Sequence, residues 1–165
     1  MGTLFNGFSR NEVSELSGLA IHKLSYLDRA EIITPERILP PGSKRNLLAY
    51  SWLQVLECRA VARLREDISL QSLRKVIEFL EQNFNDSRLG NKNIIVINDE
   101  VFWMNPDFSD MPEIMLALSK DPGQLTHSEF FIIPNIKSEV FEIAEKSNVI
   151  DYESFKERAT MSQVA

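Results

Sequence analysis

An α+β fold is predicted for this chain, a mostly helical N-terminal part (residues 1–84) followed by a small, acidic, mixed α/β C-terminal part (residues 93–165). Three observations carry that expectation. Up to residue 84 the apolar side chains recur mainly at helical spacing, interrupted by one short hairpin pattern. From residue 94 they gather into runs around turn residues, as strands do. Charge changes over the same boundary: residues 1–78 carry 11 Lys and Arg against 9 Asp and Glu, and residues 79–165 carry 7 against 15, giving the net −6 of the chain.

The elements follow in order. Ser9 and Glu12 form a Ser-x-x-Glu capping box, which predicts a helix over residues 10–17 with Val13 and Leu16 inward. Gly18 supplies a turn. A second helix over residues 21–29 turns Leu24 and Leu27 inward and leaves Ala20, His22, Lys23, Ser25, Tyr26 and Arg29 outward. Two short helices about a glycine turn, the second polar on its outer face, make a helix-turn-helix, whose second helix fits a major groove and reads bases with its N-terminal residues. Ile38-Leu39 and Leu47-Leu48 bracket Pro40-Pro41-Gly42-Ser43-Lys44-Arg45, a hairpin with two adjacent cations at its tip.

Ser51 with Gln54 opens a helix ending near Asp67, with Leu53, Leu56, Ala60, Val61 and Leu64 inward; Ser69 opens another to about residue 84, with Leu73, Val76, Ile77 and Leu80 on one stripe. Residues 83–93, rich in Asn, read as a linker. Residues 94–97 and 101–104 flank Asn98-Asp99-Glu100 as a second hairpin. A short helix over residues 113–119, a turn at Asp121-Pro122-Gly123, a strand at residues 130–133 and helices over 138–146 and 151–158 complete the chain, with a frayed end from residue 160.

In order, Asn11 to Leu16, Gly18 to Ile21, Lys23-Leu24-Ser25-Tyr26-Leu27-Asp28, Ala30 to Pro35, Lys44-Arg45, Tyr50-Ser51 and Ile68 to Val76 resemble the MerR-type winged helix-turn-helix family over a little under half of the chain. The stretches after Tyr50 and Ser69, with Pro122-Gly123-Gln124, resemble the branch carrying an antitoxin-type C-terminal region, some members of which partner PIN-domain ribonuclease toxins. The resemblance implies binding to double-stranded DNA as a homodimer, with the hairpin as a wing and the C-terminal part serving dimerisation or a toxin partner. The sequence departs from the pattern where Ser25 replaces an arginine and Leu27 a tyrosine, and residues 38–48 make a longer wing. The long dimerisation coiled coil and the cysteine cluster of the metal-sensing members are both missing.

The candidate DNA-contacting residues are therefore Ser9, Ala20, His22, Lys23, Ser25, Tyr26, Arg29, Arg37, Lys44 and Arg45. Lys44 and Arg45 suit phosphates; Lys23 and Tyr26 suit phosphates too, and Arg29 either a phosphate or a guanine edge. Each also has a plainer reading: Tyr26 partly buried against the hairpin, Arg29 a cation at a helix C-terminus, His22 an ordinary surface polar residue. Arg59, Arg63, Arg65, Arg74 and Lys75 make either a basic flank or a solvated face.

Other chemistry lacks its residues. Cys58, the one cysteine, lies between apolar neighbours and reads as a buried, inert thiol. His127 has no ligand partner at metal spacing, and Asp99, Glu100, Asp107, Asp110 and Asp121 read as surface acidity. No phosphate loop and no nucleophile–base set occurs, so neither an enzyme nor a cofactor is expected. No apolar run approaches the roughly 20 residues of a membrane span, and no secretory pattern is present, which gives a cytoplasmic expectation without a membrane partner. The competing class is a partner-binding adaptor on the same scaffold, with little or no DNA binding; the net negative charge and Ser25 favour it.

Overall fold

The computed structural model describes residues 7–64, 69–83, 93–97, 100–104, 109, 130–133 and 135–161. Among them are six helices and two small sheets, an α+β fold. The helices are α1 (Arg10–Ser17), α2 (Ile21–Arg29), α3 (Trp52–Arg63), α4 (Leu70–Asn83), α5 (Ile136–Lys146) and α6 (Tyr152–Met161). The strands are β1 (Glu36–Ile38), β2 (Leu47–Ala49), β3 (Asn93–Ile97), β4 (Glu100–Met104) and β5 (Phe130–Ile133). The helix expected at residues 113–119, the turn at 121–123, Pro122-Gly123-Gln124 and the linker beyond residue 83 lie outside the described residues.

Contacts divide the chain differently from the expected 1–84 and 93–165. One unit combines Met1–Ala62 with Lys137–Ala165, and the other is Arg63–Ile136. The two C-terminal helices thus belong with the N-terminal helices, and α4 belongs with the strands of the middle segment.

In the first unit the local signals act as written in the sequence. Ser9 Oγ accepts from Glu12 N–H (3.2 Å) and Glu12 Oε1 from Ser9 N–H (3.0 Å), closing the capping box of α1. Gly18 ends the helix in the left-handed region (φ +83°) and donates its N–H to Ser14 O (3.0 Å). Strands β1 and β2 pair antiparallel, Glu36 with Ala49 and Ile38 with Leu47, so pairing starts closer to α2 than expected and Leu39 falls outside it. The chain before α1 joins the start of α3 through a Phe8–Tyr50 bridge, with both N–H···O bonds at 2.8 Å.

An aromatic centre holds the unit together. Phe155 of α6 meets Phe141 of α5 at 5.0 Å, Trp52 at 5.6 Å and Phe8 at 6.1 Å between ring centroids, mostly edge-on or tilted. Phe8, Trp52 and Phe155 are all fully buried, so α5 and α6 complete a core that α1 to α3 share. On α3 the expected inward set is corrected: Trp52, Val55 and Cys58 are buried beside Leu56 and Ala60, while Leu53 and Val61 are only half-buried. The aromatic at the helix start, rather than its apolar neighbours, sets which stripe faces in.

The second unit is built on β3, the centre of a sheet ordered β4-β3-β5, all antiparallel. Ile94 to Ile97 are all buried, as expected of a strand covered on both faces. Trp103, paired with Ile94, meets Phe79 of α4 edge-on at 6.2 Å, which places α4 over that face of the sheet. Ile95, Ile97 and Met104 form a buried cluster on the other face, with Phe102 against it.

Candidate nucleic-acid interface

Helix α2 starts without a side-chain cap, since Ala20 has none to offer, and buries Leu24, Leu27 and Asp28. Its remaining residues form the solvent face: Ala20, His22, Lys23, Tyr26 and Arg29 are exposed, Tyr26 by 48%, and Ser25 is half-buried. Tyr26 is thus only about half covered.

The hairpin loop between β1 and β2 carries the other cations. Gly42 has φ +77° behind Pro40-Pro41, and Ser43 N–H donates to Pro40 O (3.1 Å), the arrangement of a Pro-Gly turn. Ser43 Oγ accepts from Arg45 N–H (3.2 Å) and donates to Arg45 O (3.0 Å), fixing the chain beyond it. Lys44 and Arg45 are both exposed, and among the described residues neither forms an ion pair.

Two candidate residues have structural occupations. Ser9 is the cap of α1, its hydroxyl turned to the helix N–H groups. Arg37 donates to Asp28 Oδ2 at 2.7 Å, and Arg10 stands at 4.0 Å from the same oxygen. Asp28 is 9% exposed, so this pair ties β1 to the buried side of α2. Gln54 Nε2 adds a bond to Thr34 O (2.7 Å) at the foot of the hairpin. The hairpin is thus fixed against α2 instead of hanging free.

Other titratable groups explain the architecture. Burial pushes the Glu12 carboxyl up, but hydrogen bonds from Arg158 and the Ser9 N–H, with the Arg158 charge, outweigh it and hold the group below its ordinary value. Arg59 is neither a basic flank nor a solvated residue: it donates to Ser17 O (3.0 Å) and to Glu139 Oε2 (2.6 and 3.0 Å). Burial first, and then the Glu57 charge, push the Cys58 thiol far up. The Tyr50 phenol is also raised by burial, with Arg10 pulling the other way.

Among the described residues no group of three His, Cys, Asp or Glu could hold a metal, and no helix is long and apolar enough to cross a membrane. His127, Arg65, Asp99, Asp107, Asp110 and Asp121 lie outside the described residues; Glu100 opens β4, exposed. The sequence identified Leu39 and Leu47 only as strand residues of the hairpin and gave Ile21 no outward place, yet all three are apolar and exposed on the same two elements. The signal available was the pair of two-residue apolar runs flanking a hairpin only three residue pairs long.

Compared with known proteins, the chain matches no family model, and no curated protein is significantly similar to it.

Proposed function

We propose that this chain is a sequence-specific regulator of transcription that binds double-stranded DNA as a homodimer, through a MerR-type winged helix-turn-helix. The observation that carries the reading is how the cations of the first unit divide. Arg10, Arg37, Arg59 and Arg158 are engaged with carboxylates or carbonyls inside it. Lys23 and Arg29 on α2, and Lys44 and Arg45 on the hairpin, are exposed and unpaired among the described residues. Cations left for solvent on a short helix and on the hairpin beside it are what a duplex backbone requires.

In this reading α2 lies in the major groove. Ala20 and His22 approach base edges, and Lys23, Tyr26 and Arg29 reach phosphates or a guanine. The β1–β2 hairpin is the wing, with Lys44 and Arg45 on the adjacent backbone. One short helix and one wing bury little surface, so specificity requires two copies, with half-sites about 34 Å apart. The 63–136 unit is left for dimerisation or for a protein partner, such as the toxin of an antitoxin-type autorepressor, and the setting is cytoplasmic.

The test is binding to a duplex from the chain's own upstream region, titrated from about 50 to 200 mM salt, with mass followed by light scattering. A selective, salt-dependent complex of a dimer is expected. Lys44→Ala with Arg45→Ala should weaken binding to all sequences alike and flatten the salt slope by about two. Binding without sequence preference, or none, would replace this reading with a partner-binding adaptor.

A further inference from the structure

We infer that Arg59 is a positioning residue that couples the 63–136 unit to the turn between α1 and α2, so that binding on that unit moves the start of α2. The coupling stands by itself, and its effect on DNA rests on the proposed DNA binding.

Two helices carry the chain across the boundary between the units. α3 ends at Arg63, the first residue of the 63–136 unit, and α5 starts at Ile136, its last. One ion pair joins these helices beside both crossings. Arg59 lies one turn before the end of α3, Glu139 lies in the first turn of α5, and Arg59 Nη2 and Nε donate to Glu139 Oε2 at 2.6 and 3.0 Å. The two side chains are only 18% and 21% exposed, so water screens the pair less than it would at the surface. Two residues separate β5 from α5, so a displacement of β5 reaches the first turn of α5 with little slack.

The remaining bond of Arg59 serves a different element. Nη1 donates at 3.0 Å to Ser17 O, on the last residue of α1. Helix α1 has no basic residue in its own last turn, so Arg59 supplies the cation that a helix C-terminus favours. Gly18 leaves it room, since a Cβ there would lie 3.2 Å from Nη1. Ser17 is fully buried, and its hydroxyl accepts from Leu19 N–H (3.1 Å) while Ser14 Oγ donates to Leu19 O (2.7 Å). These bonds fix the turn as far as Ala20, where α2 begins without a side-chain cap. The first turn of α2 therefore takes its place from the turn before it, and that turn is tied to Arg59. A solvated ion pair needs only its carboxylate. The rigid guanidinium fork here serves a carboxylate on α5 and a carbonyl on α1 at once, which makes it a connection.

The experiment is a double-variant cycle on the full chain, read by amide hydrogen exchange. Ile95→Val loosens the buried core of the 63–136 unit far along the chain from Arg59. With Arg59 present, it should speed exchange at Leu19 N–H as well as in β3. Arg59→Met should by itself speed exchange at Leu19 about tenfold, and Ile95→Val should then add nothing there. Val55 N–H, in α3, should exchange as in wild type, whereas a merely structural role for Arg59 would raise it together with the turn. If Arg59→Met lowers the melting temperature, Arg59→Lys takes its place with the same expectation, because it keeps a charge beside Glu139 but not the fork. Additive effects of the two substitutions, or a turn that does not respond to Ile95→Val, would overturn the coupling. On a duplex that the chain selects, Arg59→Met should lower specific affinity about tenfold with the salt slope unchanged; a slope flatter by about one would overturn the positioning role by making Arg59 a phosphate contact. If no duplex is selected, the DNA-binding reading fails, and the exchange cycle alone decides the coupling.

Discussion

The decisive structural link in the first unit is between Arg158 of α6 and Glu12 of α1, 146 residues apart. Arg158 donates to both carboxylate oxygens, Nη1 to Oε1 at 2.8 Å and Nη2 to Oε2 at 2.7 Å, and its guanidinium stands 4.5 Å over the Phe8 ring. Arg158→Met keeps an unbranched apolar stem against Phe8 but leaves Glu12 with the Ser9 N–H alone. Breaking a fully buried pair by removing one member costs about 3–5 kcal/mol. The Glu12 side chain is 25% exposed, so water recovers part of this, and about 2–3 kcal/mol is expected. Glu12→Gln sets an amide against a nearly buried guanidinium and should cost about 2 kcal/mol. The double variant should fall short of the sum by about 1–2 kcal/mol, because each change removes the same interaction.

Urea unfolding reads this directly through Trp52, which lies 5.6 Å from Phe155 of the docked helix, with Trp103→Phe silencing the other indole. Additivity within about 0.5 kcal/mol would refute the docking. Acidity gives an independent check. Glu12 is held below its ordinary value when folded, so its contribution is present above the unfolded value and is lost as pH falls through the folded one. The stability gap between wild type and Glu12→Gln should therefore close below about pH 4 and stay constant above about pH 6.

Three further outcomes follow from particular residues. Gly18→Ala should destabilise by about 1–2 kcal/mol in urea, since φ is +83° and the new Cβ would lie 3.2 Å from Arg59 Nη1, whereas Glu31→Gly, at φ +57°, should stabilise by up to about 1 kcal/mol. Cys58, fully buried with its thiol ionisation suppressed, should resist a thiol reagent until urea unfolds the chain; rapid labelling of the folded protein would contradict its placement. A fragment of residues 1–84 lacks Phe141, Phe155 and Arg158, and truncating a core aromatic alone typically costs about 3–5 kcal/mol, so it should show no cooperative melt. A cooperative transition in the fragment would mean that α5 and α6 are accessory.

What the sequence made legible was local. Capping boxes at Ser9 and Ser51, Gly18 after α1, the Pro-Gly turn and the period of the apolar residues are each written within a few positions, and the elements formed where these signals lie. The unit to which α5 and α6 belong was not legible, because it depends on pairings such as Arg59 with Glu139 and Arg158 with Glu12, 80 and 146 residues apart. A change in composition near residue 80 suggested a boundary there, yet composition carries no information about which distant helix completes a core. The same limit applied to the candidate contacts. Spacing identified the outer face of α2, but only the structure separates Arg37, held by Asp28, from Lys44 and Arg45, which are not held.

The net charge of −6 is a poor guide to partners for the same reason. Charge acts over roughly a Debye length, about 8–10 Å at physiological salt, so placement outweighs the sum. The carboxylates at Glu12, Asp28 and Glu139 each take up an arginine within the first unit. Those pairs add nothing to the outer field while they lock helices together. Exposed Glu142 and Glu153 face the nearby Lys146 and Lys156 on α5 and α6. The cations of α2 and the hairpin tip have no such partners among the described residues, so their charge remains available to a polyanion. Under the proposed DNA-binding function, acidity elsewhere has a use, since like-charge repulsion would disfavour every approach to DNA except the one that presents α2 and the hairpin. Reversing exposed acids far from α2, such as Glu142→Lys with Glu153→Lys, should therefore raise non-specific DNA binding more than specific binding; an equal rise in both would show that the acidity has no part in orienting the complex.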